Sequence, residues 1–391
     1  VNWDDIIIDA SASDTGMRRQ NNQDSHTTVR APNREAWRNR GHLFMVADGM
    51  GAHAVGELAS KMACDLIPHS YMKAKNGTAV EAIAKAFRDV SAQIHGRAAA
   101  NRDFQGMGTT CSSLLLLPEG ALVAHVGDSR VYRVRDRRID QLSFDHSLVW
   151  ELVRRNHLTP EQANHSIPKN VITRSLGPEV DIEVDVEGPL AVKIGDVFLL
   201  CSDGLSGPVT DPELGAFAGH FHPRDACRYL ISLANLRGGY DNITVLVVRI
   251  GPWVDPESGE TSHQDLAANH AEHQHNRNGR PKVSWKNRIL DRLTAPKPPQ
   301  ALAPDEEHRY RSCESGIDEA LLDDLAQLVD NARETAIAQA WSVDWTELSV
   351  HRKKMTEARA ARNLWVTLRE LGELISLLGQ AGRFHRRSGG S

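Results

Sequence analysis

The stretch Leu43-Phe44-Met45-Val46-Ala47-Asp48-Gly49-Met50-Gly51 decides how the rest of the chain is read. An apolar run ends abruptly in a carboxylate and two glycines. A strand that stops at an Asp-Gly-x-Gly turn fixes its carboxylate at the rim of a sheet. The glycine beside it lets backbone approach whatever the carboxylate holds. The design returns twice. Val197-Phe198-Leu199-Leu200-Cys201-Ser202 runs into Asp203-Gly204, and Gly238-Gly239-Tyr240-Asp241-Asn242 leads into the strand-like run Ile243 to Val248. Carboxylates at separate strand ends, each beside a turn, point to one oxygen-lined metal site.

The 391 residues exceed one typical domain and predict one large domain plus an extension. A formal net charge of -5 gives no overall pull toward nucleic acid. No apolar run approaches a membrane span and the N-terminus does not read as a signal peptide, so the expected location is the cytoplasm. Cys64, Cys111, Cys201, Cys227 and Cys313 are scattered, with no C-x-x-C pair and no C-x5-R loop. They read as reduced core thiols, which sets aside a disulfide framework, a zinc site and a cysteine-nucleophile phosphatase. Gly51 to Gly56 has P-loop glycine spacing, but Glu57 stands where a phosphate-binding lysine is needed.

In chain order, Ile6 to Ser11 predicts a strand, followed by the polar stretch Gly16 to Ser25 with its adjacent arginines. Residues 31–41 read as a loop. Helices are predicted over 56–71 and 79–100, with Thr78 able to cap the second. Thr110–Leu117, Ala121–Val126 and Arg130–Arg135 form a β-meander with Asp128 in one turn. Residues 148–178 read as an inserted lobe, with a helix start at Thr159-Pro160. Strands resume at 182–186 and 197–201, a helix lies near 223–235, and 243–250 closes the domain. This order does not repeat as βαβ, so antiparallel sheets flanked by helices fit better than a doubly wound parallel sheet.

The chain divides into a domain over 1–252, a polar linker over 253–311, a C-terminal helical hairpin over 312–384 and a disordered tail over 385–391. His263, His270, His273 and His275 in the linker read as a solvated tract. In the tail, apolar stripes over 316–341 and 344–380 predict two antiparallel helices, with Asp344 and Glu347 as a capping-box-like start. That register puts Asp324 near Arg362, and Asp330 near Lys353 and Lys354. The second helix overhangs the first through 371–380. Its apolar face calls for a cover: a second copy, a partner protein or the chain's own first domain.

Taken together, the motifs resemble the metal-dependent type-2C serine/threonine protein phosphatases in their bacterial form. The resemblance covers about residues 6–251. It rests on Arg19-x-x-Asn22-Gln23-Asp24, Asp48-Gly49-Met50-Gly51, Gly108-Thr109-Thr110, Gly127-Asp128-Ser129-Arg130, Asp145-His146-Ser147, Ile172 to Gly177, Ser202-Asp203-Gly204 and Asp241-Asn242, in the family's order. It implies an α+β fold, a four-layer α-β-β-α sandwich of two antiparallel sheets flanked by helices, and hydrolysis of phosphoserine and phosphothreonine in proteins. It implies two or three Mn2+ or Mg2+ ions. Asp48 would bridge two of them with the Gly49 carbonyl as a further ligand. Asp203 and Asp241 would complete one site, Asp24 would stand beside the pair, and Asp128 with Asp203 would hold a looser third ion. A hydroxide between the ions would attack phosphorus while Arg19 clamps the phosphoryl oxygens. The lobe at 148–178 matches the family's variable flap.

There are two departures. Gln23 stands where many members carry Glu. Met50 stands where many eukaryotic members carry a general-acid His, which leaves His53 as the candidate and His146 as the second, each weighed against an ordinary hydrogen-bonded turn role. Asp145 and Arg174 are expected to be structural. The implied partners are phosphorylated proteins and a cognate Ser/Thr kinase. Nucleic acid and a membrane are not implied. A regulatory phosphatase, or an inactive phosphatase-fold scaffold that binds a signalling partner through the C-terminal helices, is the alternative.

Overall fold

The two-residue period of the long strands sorts their side chains between two cores, and that sorting builds the layers. In a computed structural model of the chain, residues 6–51, 55–154, 171–259, 261 and 310–389 are described. One sheet runs in the order β1 (Ile7–Asp14), β11 (Ile243–Ile250), β10 (Val197–Cys201), β7 (Arg130–Arg135), β8 (Arg138–Gln141) and β12 (Arg311–Glu314). The other runs β2 (Asp24–Val29), β3 (His42–Met50), β5 (Cys111–Leu117), β6 (Gly120–Val126) and β9 (Asp185–Leu190), with the short β4 (Gly108–Thr109) on the end of β3. All of these pairings are antiparallel.

Alternate residues of β3, β5, β10 and β11 (Phe44, Val46, Leu114, Leu116, Phe198, Leu200, Leu246 and Val248) meet between the sheets. Their neighbours face outward. Leu43, Met45 and Leu115 pack under the helices α2 (Val55–Lys73) and α3 (Ala79–Ala100). Leu199, Cys201, Val245 and Val247 pack under a second helical layer. Both faces of each sheet are covered, which is why these strands read as unbroken apolar runs although the sheets are antiparallel. This is the α-β-β-α sandwich that the resemblance implied. Thr78 and Glu81 form a reciprocal capping box at the start of α3.

Residues 31–41 are not all loop. Asn33 caps a short helix, α1 (Arg34–Arg40). The helix α4 (Leu148–Arg154) opens the predicted lobe. The expected helix start at Thr159-Pro160 lies outside the described residues, as do the four linker histidines. A short α5 (Asp203–Ser206) follows β10, then α6 (Asp211–His220) and α7 (Pro223–Leu236).

The C-terminal region differs from the predicted hairpin. It holds three helices: α8 (Glu319–Ala338), α9 (Trp345–Ala360) and α10 (Leu364–Arg387). The stripe over 344–380 is broken at 361–363 by a Schellman-type end. Arg362 takes a positive φ of 55°, the Asn363 N–H reaches back to the Ala358 carbonyl at 2.9 Å, and the Arg362 N–H reaches Arg359 at 3.0 Å. Asn363 then caps α10. Acidic α8 does face basic α9, but the partners are Asp330 with Arg352 at 2.9 Å, and Glu319 and Asp323 with Arg359. Both helices rest on α10.

Freed by that break, α10 turns back along α7. Leu371, Leu374, Ile375 and Leu378 are fully buried, in one cluster with Tyr229, Leu230 and Leu233. Gly372 sits against the Tyr229 ring, where an added Cβ would come within 2.9 Å. Glu373 accepts from both Arg228 terminal nitrogens at 2.7 Å and from the Tyr229 hydroxyl at 2.6 Å. The face through 371–380, expected to seek a cover, therefore finds it within the chain. Residues 311–314, expected at the junction of the linker and the helical hairpin, join the first sheet instead, and the predicted tail is helical as far as Arg387. No helix among the described residues is long and apolar enough to cross a membrane.

Candidate metal centre

Register brings the first two carboxylates together. In the β2–β3 pairing Asp24 lies directly opposite Asp48. Asp48 sits near the end of β3, its backbone held on both sides. Its N–H donates to Thr110 Oγ1 at 2.9 Å, and its carbonyl accepts from Thr109 Oγ1 at 2.8 Å and from the Thr110 N–H at 2.9 Å. Gly49 is needed for close approach, since a Cβ there would lie 2.1 Å from the Gly56 carbonyl oxygen and 2.6 Å from that of Gln23. The same holds at Gly204, where a Cβ would lie 1.9 Å from the Asn242 carbonyl oxygen. The Asp48-Gly49 turn is thus wedged against the backbone beside Asp24, and the Asp203-Gly204 turn against the backbone beside Asp241.

Asp203 opens α5 at the end of β10. Asp241 lies in the turn before β11, and Asp128 in the Gly127-Asp128 turn between β6 and β7. The structure brings Asp24, Asp48, Asp128, Asp203 and Asp241 to one rim of the sandwich, with Arg19 beside them. The half-exposed Arg19 donates from Nη2 to Asp241 Oδ2 at 2.8 Å.

The electrostatics of this cluster show how closely its members face one another. Burial first, then Asp24, Asp203, Asp128 and Asp241, push the Asp48 carboxyl well above the usual carboxylate range. Burial, together with Asp203 and Asp241, raises Asp24 to about 7 despite a hydrogen bond from Ser202. Burial and Asp203 raise Asp128 to about 8. Asp203 is raised by burial first and then by Asp241, with Asp48, Arg130 and Arg19 acting against the rise.

Buried oxygens of Asp24, Asp128 and Asp203 have no hydrogen-bond partner. Such orphans are costly unless something outside the protein chain satisfies them. Among the described residues no three His, Cys, Asp or Glu side chains form a ready-made cage round one point. The case for a cation therefore rests on the orphaned oxygens and the mutual repulsion. An all-oxygen set of this kind suits hard divalent ions.

Of the general-acid candidates, His53 lies outside the described residues. His146 is buried and engaged elsewhere: Nδ1 accepts from the Gly127 N–H at 3.0 Å, and Nε2 lies 3.1 Å from Asp185. That is the geometry of a hydrogen-bonded turn residue. Asp145 pairs with Arg130 through a two-pronged contact, and Arg174 pairs with Asp185 and Glu183.

Four residues quoted in the motifs without a role turn out to hold the site. Ser202 Oγ donates to Asp24 Oδ2 at 2.8 Å. Thr109 and Thr110 clamp the Asp48 backbone. Asn242 Oδ1 accepts from the Gln23 N–H at 2.8 Å, and its Nδ2 donates to the Thr15 and Asn21 carbonyls. For Ser202 and Asn242 the available signal was their position beside Asp203 and Asp241; Thr109 and Thr110 had no such neighbour.

Comparison with known proteins matches residues 17–230 to the family model described as Protein phosphatase 2C. The chain is 35% identical over 242 residues to protein phosphatase PhpP of Streptococcus pneumoniae, covering 60% of this chain and 94% of that protein. It is similar to the crystal structure of the PPM Ser-Thr phosphatase MsPP from Mycobacterium smegmatis in complex with cacodylate, with a TM-score of 0.55, 30% identity, and coverage of 63% of this chain and 99% of the other. A third match is the catalytic domain of serine threonine protein phosphatase PstP in complex with two manganese ions, with a TM-score of 0.53, 33% identity, and coverage of 63% and 99%.

Proposed function

Because the chain belongs to the protein phosphatase 2C family, we propose that its carboxylate cluster hydrolyses phosphoserine and phosphothreonine monoesters of proteins with the help of two or three Mn2+ or Mg2+ ions. The observation that carries this reading is the gathering of Asp24, Asp48, Asp128, Asp203 and Asp241 at one rim, with buried orphaned oxygens and Arg19 alongside. The two manganese ions of the similar PstP catalytic domain support the metal assignment.

The ligands would be Asp48 at the centre, with the Gly49 carbonyl, Asp24, Asp203 and Asp241 around it, and Asp128 with Asp203 at the looser position. Bound Mn2+ or Mg2+ supplies Lewis-acid activation of water and neutralises charge on the phosphoryl oxygens. The chain's own part is orientation. The wedged Asp-Gly turns hold the carboxylates at fixed separations without further reorganisation. Ser202 leaves Asp24 one oxygen for a ligand by occupying the other. Arg19, paired to Asp241 at the exposed edge, presents a planar fork to a phosphoryl group entering from solvent. The substrates are phosphorylated proteins, and a Ser/Thr kinase is the expected counterpart.

Mn2+-dependent release of p-nitrophenol from p-nitrophenyl phosphate tests the reading. Asp203→Asn should lower kcat by about a hundredfold or more. Near-normal turnover in that variant would sink the ligand assignment.

A further inference from the structure

Arg19 is carried by a turn that the C-terminal helix touches from outside. From inside, the turn is pinned by backbone: the Met17 and Arg18 N–H groups donate to the Gly239 carbonyl at 2.7 and 3.2 Å, and Asn242 Nδ2 donates to Thr15. Its root is Asp14, the last residue of β1, which is 8% exposed. Asp14 Oδ1 accepts from the Gly16 N–H at 2.9 Å and from Asn235 Nδ2 of α7 at 3.1 Å. Its other oxygen pairs with Arg383, in the last turns of α10. One turn further on, Arg386 Nη1 donates to the Met17 carbonyl at 3.1 Å.

The helix that delivers these arginines is itself fixed. Glu373 anchors it to Arg228 and Tyr229, and Leu371, Leu374, Ile375 and Leu378 are buried against the domain. A buried carboxylate whose cationic partner comes from another element ties the two elements together, because separating them strands a charge. Residues more than 360 positions apart in the chain therefore share one small structure beside the metal centre.

We propose that α10 is a positioning element for the phosphoryl-binding arginine: Arg383 and Arg386 hold the Asp14–Arg18 turn and so set where Arg19 points. This rests on the reading of Arg19 as the phosphoryl clamp. It gives the C-terminal region a part in substrate binding that acts through Arg19.

A double-mutant cycle in the full-length, Mn2+-loaded protein tests it, with KM and kcat for p-nitrophenyl phosphate as the readouts. Arg19→Ala should raise KM about tenfold or more; Arg383→Ala should raise it about fivefold while leaving kcat within about twofold. In the Arg19→Ala background, adding Arg383→Ala should leave KM within about 1.5-fold, because the residue acts through Arg19. Arg383→Lys, which keeps the charge on Asp14, should recover most of the wild-type KM. The exposed Arg386→Ala runs through the same cycle and spares Asp14 its partner, so the test survives if Arg383→Ala does not fold. If Arg19→Ala raises KM while Arg383→Ala and Arg386→Ala do not, the positioning role is overturned and the clamp stands. An equal rise from Arg383→Ala in both backgrounds also overturns it. If Arg19→Ala leaves KM unchanged, the clamp reading falls and the positioning role falls with it.

Discussion

Chelating the metal should make the protein's stability fall as pH rises, and the size of the effect can be worked from Asp24. In the folded chain this carboxyl is raised from the ordinary aspartate value of 3.8 to about 7, by burial first and then by Asp203 and Asp241. Between those values the folded state holds a proton that the unfolded state has released. Stability from that proton is complete below about pH 4 and is lost as pH climbs through 7. At about 1.4 kcal/mol per pH unit, the span amounts to about 4 kcal/mol. Asp128, raised to about 8, acts in the same direction. The carboxylates titrate as a set, so about 4 kcal/mol is the scale for the cluster rather than for one member. Bound Mn2+ reverses the slope, because it must displace those protons at low pH and meets none at high pH. Urea unfolding in EDTA and in excess Mn2+, at about pH 5 and about pH 8, measures both. The chelated protein should be the weaker at the higher pH, and the gap between the two conditions should widen there. Asp203→Asn should flatten the chelated slope and narrow the gap. A chelated protein as stable at about pH 8 as at about pH 5, or a gap that shrinks with pH, would refute the argument.

Two further outcomes follow from contacts away from the proposed metal ligands. Glu373→Ala orphans the buried Tyr229 hydroxyl and breaks a part-exposed pair with Arg228, so urea unfolding should show a loss of about 3 kcal/mol, and Glu373→Gln about 1 kcal/mol. Burial would raise the Glu373 carboxyl, but hydrogen bonds from Arg228 and Tyr229 outweigh it and hold the group below its ordinary value. Its contribution is therefore present above about pH 4.5 and fades as pH falls further; a loss under about 0.5 kcal/mol at pH 7 would mean that α10 is not docked as described. His146→Ala leaves the buried Gly127 N–H unpaired and should cost about 1–3 kcal/mol while kcat stays within about threefold. A hundredfold fall in kcat with unchanged stability would instead make His146 the general acid.

The sandwich was legible because strand period and turn chemistry agree. Phe44 and Val46 alternate with Leu43 and Met45, and the runs of β3 and β10 stop at Asp48-Gly49 and Asp203-Gly204, so those strand ends and carboxylates announce each other. The helix α6 was missed although Thr210, Pro212 and Glu213 carry a start signature, and Glu213 does cap Thr210. The break between α9 and α10 gave less warning, because Arg362 occupies the left-handed position where glycine is usual. The edge strand 311–314 could not be read from three polar residues and a cysteine beside a proline-rich tract, since its pairing with β8 is a tertiary contact. In the centre itself, the carboxylates stood out by their turns. Ser202 and Asn242 did not, because their work is to hold a neighbour, and that depends on distances no spacing rule encodes.

The pairing of β12 with β8 and the seating of α10 on α7 also set an order of assembly. A ribosome releases β1 through β11 well before Arg311 or Leu371 exists. Throughout that interval Tyr229, Leu230 and Leu233 lack the side chains that later cover them. The nascent enzyme carries a temporary apolar face, the kind of surface that draws chaperones and invites association with other unfinished chains. A fragment ending at residue 259 should bind an apolar dye that the full chain ignores, and equal dye binding by the two would remove this account. Maturation would then be decided by a helix made only after the sandwich it covers.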